Sequence, residues 1–208
     1  MPVKKRNGSA PRKLFYIPII HTETDMGALG ASIKTAYIKK MGLQAWKRKK
    51  ELIERFWTDL ENAIHNINLP YSKTRVYQDG LPVSDPEQEL KIVKKLATDG
   101  SRNHELVQKL IDRGATLVGT ESPELLMQEY HLAMSALNPT EPGEGSDDQK
   151  TQAANILKKR DEFIAKRIDQ TLKQGEVGIL FIGSLHNVIP LLNSDIEVIT
   201  PLASSARG

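Results

Sequence analysis

The chain has 208 residues and a net charge of +3, with 39% hydrophobic and 26% charged residues and no cysteine. That length and balance suit one globular domain with a sizeable core, and the lack of cysteine excludes disulfide frameworks, thiolate metal sites and a cysteine nucleophile. No run approaches the roughly 20 apolar residues of a membrane-spanning helix, and no secretory apolar region follows the basic N-terminus, so a cytoplasmic location is expected.

Residues 1–13 carry Lys4, Lys5, Arg6, Arg12 and Lys13 and no acid, which leaves the rest of the chain at −2. The basic excess is therefore expected in a flexible tail ahead of a single domain over 14–202. "LFYIPII" (14–20) has strand length, with Pro18 pointing to an edge or an irregular strand. "HTETDMGALGAS" (21–32) reads as a polar, glycine-containing loop. Residues 43–67 form a long amphipathic helix, with Trp46, Leu52, Ile53, Phe56, Trp57, Leu60, Ile64 and Ile67 at helical spacing. Its basic run from Lys47 to Lys50 is followed by Glu51 and Glu54 and reads as a solvated face. With no alternation of basic and aromatic residues elsewhere, nucleic-acid binding is not expected.

"TRVYQDG" (74–80) is a second strand. Two helices follow, over 84–100 and 101–114, each opened by a polar cap and closed by glycine. His104, in the first turn of the second of these, reads as a surface residue. "ATLVGTES" (115–122) is a third strand, and "PELLMQEYHLAMSAL" (123–137) a helix in which Glu129 and His131 read as a solvated face. The acidic, Pro/Gly-rich stretch 138–148 is a loop. Residues 149–175 are a long helix, 177–183 a fourth strand, "HNVIPLL" a short turn of helix and "DIEVITPL" a fifth strand. Strands alternate with helices throughout, so the fold class is α/β: a mostly parallel open sheet of about five strands with flanking helices.

In such sheets ligands bind beyond the carboxyl ends of the strands. His21, Glu23 and Asp25 follow the first strand, Asp79 the second, Glu121 the third, and Ser184 and His186 the fourth. Read singly, each has an ordinary explanation. Asp79-Gly80 is a turn dipeptide, and Glu124 after Ser122-Pro123 is helix-start chemistry, so it is set aside. Read jointly, two histidines and several carboxylates share one edge. That donor set suits a divalent cation such as Zn²⁺ or Mn²⁺, with His21, Glu23, Asp79, Glu121 and His186 as ligands. It suits general acid–base catalysis equally well. The fingerprints of dinucleotide, P-loop and nucleophile-elbow sites are missing.

The segment "RDEFIAKRIDQTLKQGEVGILFIGSLHNVIPLLNSDIEVITPL" resembles the C-terminal part of the TraB/Tiki superfamily, which also takes in erythromycin-esterase-like and ChaN-like haem-uptake relatives. Arg160 stands at the family's helical Arg, and Gly183 to His186 match its G-x-x-H. At the first strand Pro18 stands where the family has Gly, and Glu23 follows His21 rather than preceding it. Members of that superfamily look like metal-dependent hydrolases or proteases, haem binders or regulators, so the resemblance implies an architecture and a site at this edge rather than one reaction. The leading expectation is a metal-dependent hydrolase-like enzyme acting on a small molecule or peptide. His21, His186, Glu121 and Arg160 would be its catalytic residues, Arg160 holding an anionic group or a developing oxyanion. The alternatives are a haem or small-ligand binder using His186 or His21, and a non-catalytic homo-oligomer assembled through the two long helices.

Overall fold

The computed structural model describes residues 11–26, 28–137 and 147–201. Residues 1–10 of the expected tail, and 138–146 of the expected acidic loop, lie outside the described residues. Five strands form one all-parallel sheet in the order β3-β2-β4-β1-β5: β1 (Arg12–Ile19), β2 (Thr74–Gln78), β3 (Thr116–Val118), β4 (Val177–Gly183) and β5 (Ile196–Ile199). Helices α1 (Ala28–Met41), α2 (Leu43–His65), α3 (Pro86–Thr98), α4 (Arg102–Asp112), α5 (Pro123–Leu137) and α6 (Asp147–Thr171) connect them. The α/β expectation holds.

Alternation along the strands sends side chains to two cores. Ile17 and Ile19 of β1, Val76 of β2 and Ile179 and Phe181 of β4 pack with Trp57, Leu60 and Ile64 of α2, Val93 of α3 and Leu106, Val107 and Leu110 of α4. Leu14 and Tyr16, Tyr77, and Leu180 and Ile182 face the other way, against Ile164, Ala165 and Ile168 of α6. Period-two patterning with both faces covered is what a parallel sheet between helix layers requires. From Ile53 onward the apolar stripe of α2, like that of α6 around Ile164 and Ile168, is thus used in packing on the sheet.

Three differences from the sequence reading have physical causes. First, Arg12 and Lys13 belong to β1 rather than to a tail. The buried Arg12 guanidinium donates to both carboxylate oxygens of Asp195 (2.8 and 2.6 Å) and to Asp169 Oδ1 (2.8 Å), tying the amino end of the strand to β5 and α6. Second, β1 is interior rather than an edge. However, β5 pairs only with residues 12–15, so Pro18 sits where β1 has a neighbour on the β4 side alone and its missing N–H interrupts no ladder. Third, the second half of the stretch read as a loop opens α1, whose sequence has no strong apolar stripe to betray it.

Parallel pairing puts the ends of β2, β4 and β1 side by side. Ile19 is in register with Gly183, and Gln78 with Phe181. The residues that follow these three strands are therefore forced together, and those after β3 join them through a parallel bridge between Pro82 and Glu121.

Candidate active site

Asp79 is the hub. It is buried, and each oxygen has two neighbours. Oδ2 accepts from the Gly183 backbone N–H (2.7 Å) and from His21 Nε2 (3.0 Å). Oδ1 accepts from Arg160 (3.0 Å) and faces His186 Nε2 at 3.5 Å. Burial alone would raise its pKa, but the hydrogen bonds from His186 and His21 outweigh that and hold the carboxyl well below its usual range.

Arg160, buried on α6, grips Glu121 in two parallel bonds, Nε to Oε2 at 2.7 Å and a terminal nitrogen to Oε1 at 2.6 Å. Such forks are the strongest arginine–carboxylate geometry. Its other terminal nitrogen donates to Glu129 of α5 at 2.5 Å, and the Gly80 N–H donates to Glu121 Oε1 at 3.0 Å. Burial pushes the Glu121 pKa up; Arg160 opposes this and the nearby Asp79 charge adds to it. Arg160 itself is held protonated: its carboxylate partners overcome the desolvation that would lower its pKa.

His186 lies between two acids. Its Nδ1–H donates to Asp161 Oδ1 at 2.5 Å, and Asp161 Oδ2 accepts the Asn187 N–H at 3.0 Å. This leaves Nε2 turned to the cluster. Desolvation would lower the pKa of the ring, but hydrogen bonding and charge from Asp79, with Asp161 adding to them, raise it to about 9. The His186 side chain is only 5% exposed, whereas that of His21 is 35% exposed. His21 is therefore the solvent-facing member of the pair. Its pKa is also raised, the bond to Asp79 outweighing burial.

Of the residues singled out from sequence, His21, Asp79, Glu121, Arg160 and His186 converge. One donor atom each from Asp79, Glu121 and His186 falls within 4.8 Å of the others, a spacing that could hold a metal ion. Glu23 does not join them: its carboxylate is half-exposed and pairs with Lys34 of α1 at 3.2 Å, drawn outward by the helix that sequence reading left out. Glu129 has a half-exposed side chain, as a solvated face requires, and is at the same time the third carboxylate on Arg160. Asp161 escaped notice although it adjoins Arg160. On a helix, neighbours point about 100° apart, so one turns to Glu121 and the other to His186.

His104 is also corrected, because it is buried rather than on the surface. Asp25 Oδ2 accepts from the Thr22 N–H (2.6 Å) and hydroxyl (2.8 Å). Its Oδ1 accepts from Ser101 Oγ, which meets His104 Nδ1 at 2.7 Å and caps α4. Although it contains Ser, His and Asp, this is no nucleophilic triad. The hydroxyl donates its hydrogen bond to the carboxylate, and Ser101 is fully buried. The cluster instead pins the loop that carries His21. Burial would raise the Asp25 pKa, but its bonds to His104, Ser101 and Thr22 lower it to about 2 from 3.8. A depressed pKa gives stability that is present above the unfolded value and lost as the pH falls through the folded one. Wild type is thus expected to exceed Asp25→Asn by about 2 kcal/mol above pH ~4, with the gap closing toward pH ~2. Urea melts of both proteins across that range check this, and a gap that does not change with pH would contradict it.

No protein-family model, no curated protein and no solved structure matches the chain.

Proposed function

We propose that this protein is a hydrolase-type enzyme that works with a divalent cation held by Asp79, Glu121 and His186. The observation that carries the reading is the convergence of those three donors, from the ends of three different strands, within 4.8 Å. One imidazole and two carboxylates form the donor class of Zn²⁺ and Mn²⁺ sites. The surroundings fit as well. Asp161 holds His186 Nδ1–H and so turns Nε2 toward Asp79, where a cation would replace the Nε2 proton, and Arg160 with the Gly80 N–H orients Glu121. Carboxylates that fix a ligating histidine in this way are the usual second layer of metal sites. When bound, such a cation supplies Lewis acidity to a water or a substrate oxygen.

The remaining chemistry belongs to the chain's own residues. His21, partly exposed and bonded to Asp79 Oδ2, is placed to pass a proton between the buried cluster and solvent. Arg160 opposes the rise that burial imposes on the Glu121 pKa and orients Glu121 and Asp79, both of them buried. The likeness of Arg160 and the Gly183–His186 segment to the TraB/Tiki superfamily is consistent with a site at this edge. A haem-binding role is less well supported, because both nitrogens of His186 face carboxylates inside the site.

The test is metal content by mass spectrometry after equilibration with Zn²⁺ or Mn²⁺, comparing wild type with His186→Ala and Glu121→Gln, each checked for folding by circular dichroism. About one equivalent in wild type and at least a tenfold weaker affinity in either folded variant are expected. Wild type without metal, or His186→Ala binding as well as wild type, would sink the reading.

A further inference from the structure

A second surface lies away from the sheet edge. Residues 26–50 contain seven cations (Lys34, Lys39, Lys40, Lys47, Arg48, Lys49 and Lys50) and no Asp or Glu. They span α1 and the first turns of α2, which fold back on each other as a hairpin. From residue 31 to 56 no residue is fully buried, and α2 makes its first contact with the core at Ile53, with Trp57 its first buried side chain. At 1.5 Å per residue, α2 alone has about 15 Å of helix before it reaches the core. The hairpin turns at Gly42, whose φ of 85° suits glycine, and a Cβ there would meet nothing within 4 Å. Met41 and Leu43 flank it, 55% and 52% exposed. Among the described residues, Lys39, Lys40, Lys47, Arg48 and Lys50 have no carboxylate within ion-pair distance.

We propose that this hairpin docks the protein on a membrane surface that carries anionic phospholipid. An aliphatic tip ringed by cations is the pattern of interfacial anchors: the apolar side chains enter the headgroup boundary while Lys and Arg remain at phosphate level. A nucleic acid would use the same cations, but it also wants free aromatic faces for stacking. Here the two rings are engaged. Tyr37 and Trp46 pack edge to face at 5.5 Å, and Lys49 covers Tyr37 at 4.6 Å. What remains exposed at the tip is aliphatic, and aliphatic side chains gain from a bilayer rather than from bases. The inference stands independently of the proposed chemistry.

The experiment is co-sedimentation of the full chain with vesicles of phosphatidylcholine alone, or with about 30% phosphatidylserine, beside an anisotropy titration of a fluorescent single-stranded oligonucleotide. Binding to the anionic vesicles only, weakened by salt, is expected. Lys47→Ala with Arg48→Ala should weaken it roughly thirty-fold, and Met41→Ser with Leu43→Ser about tenfold, with unchanged circular dichroism. Hairpin variants that bind vesicles as well as wild type would overturn the proposal and shift the attraction to another basic segment. Tighter binding to the oligonucleotide than to vesicles, with the serine pair without effect on vesicles, would make the surface a nucleic-acid site and overturn it equally.

Discussion

Replacing Arg160 by methionine is expected to cost about 3–5 kcal/mol of folding stability at neutral pH. The guanidinium is buried and bonded to Asp79, Glu121 and Glu129. Methionine fills a similar volume, so the loss is electrostatic rather than a cavity. Glu121 is the residue it strands: fully buried, with only the Gly80 N–H left to answer its charge. Asp79 keeps both histidines and the Gly183 N–H, so it loses less. Adding Glu121→Gln to the methionine variant is therefore expected to recover at least half the loss, because a neutral amide can still accept from Gly80 without an uncompensated buried charge. The two variants should also differ with pH. Without Arg160 the pKa of Glu121, already raised, rises further. A carboxyl whose folded pKa exceeds its unfolded value binds protons more tightly when folded, so stability falls as the pH rises above the unfolded value near 4.5. The single variant should show that fall, and the double variant should lack it. Urea denaturation between pH ~4 and ~8 measures both effects. A single variant as stable as wild type, or a double variant no better than the single, would mean that Arg160 does not compensate Glu121.

The architecture and most of this centre were legible in sequence because they follow from local rules. Short apolar runs mark β1 and β4, and the rule that parallel strands present their carboxyl ends together leads to His21, Asp79, Glu121 and His186 without any knowledge of distances. What escaped depends on tertiary partners. His104 has the sequence context of a surface helix start; only the fold brings the Asp25 loop over it. Glu129 lies mid-helix among polar neighbours and gains meaning only from an arginine 31 positions away. Glu23, two residues beyond His21, looked equivalent to the ligands, yet α1 carries Lys34 to it and turns it outward. The helix that captures Glu23 is the one whose residues are barely buried, which is also why periodicity did not announce it. The same poor burial accounts for the basic hairpin: Lys47 to Lys50 read as an ordinary solvated face until the structure joined them to Lys39 and Lys40 across a projecting tip.

Gly183→Ala should separate the site from the fold. A Cβ at Gly183 would lie 2.9 Å from Asp79 Oδ2 and 3.0 Å from His21 Nε2, wedged between the two atoms that make the Asp79–His21 bond. The carboxylate is held from four sides and cannot yield without loosening Arg160 or His186. His21, partly exposed, can swing away. The expected result is a stability loss of about 1–3 kcal/mol together with up to ~100-fold weaker metal binding or turnover, since a displacement of about 1 Å at a reacting centre can have an effect of that size. Gly178 in the same strand supplies the contrast. There the new Cβ would meet Leu14 Cδ1 at 2.6 Å, with Leu172 and Tyr77 at 3.3 Å, all of them core side chains remote from the acids. Gly178→Ala is expected to cost at least as much stability while leaving metal affinity and the imidazole resonances of His21 and His186 where wild type has them. If instead both alanines shifted those resonances alike, or Gly183→Ala bound metal normally, the Asp79–His21 bond beside Gly183 would not be part of the working site, and the chemistry would have to rest on Asp79, Glu121 and His186 alone.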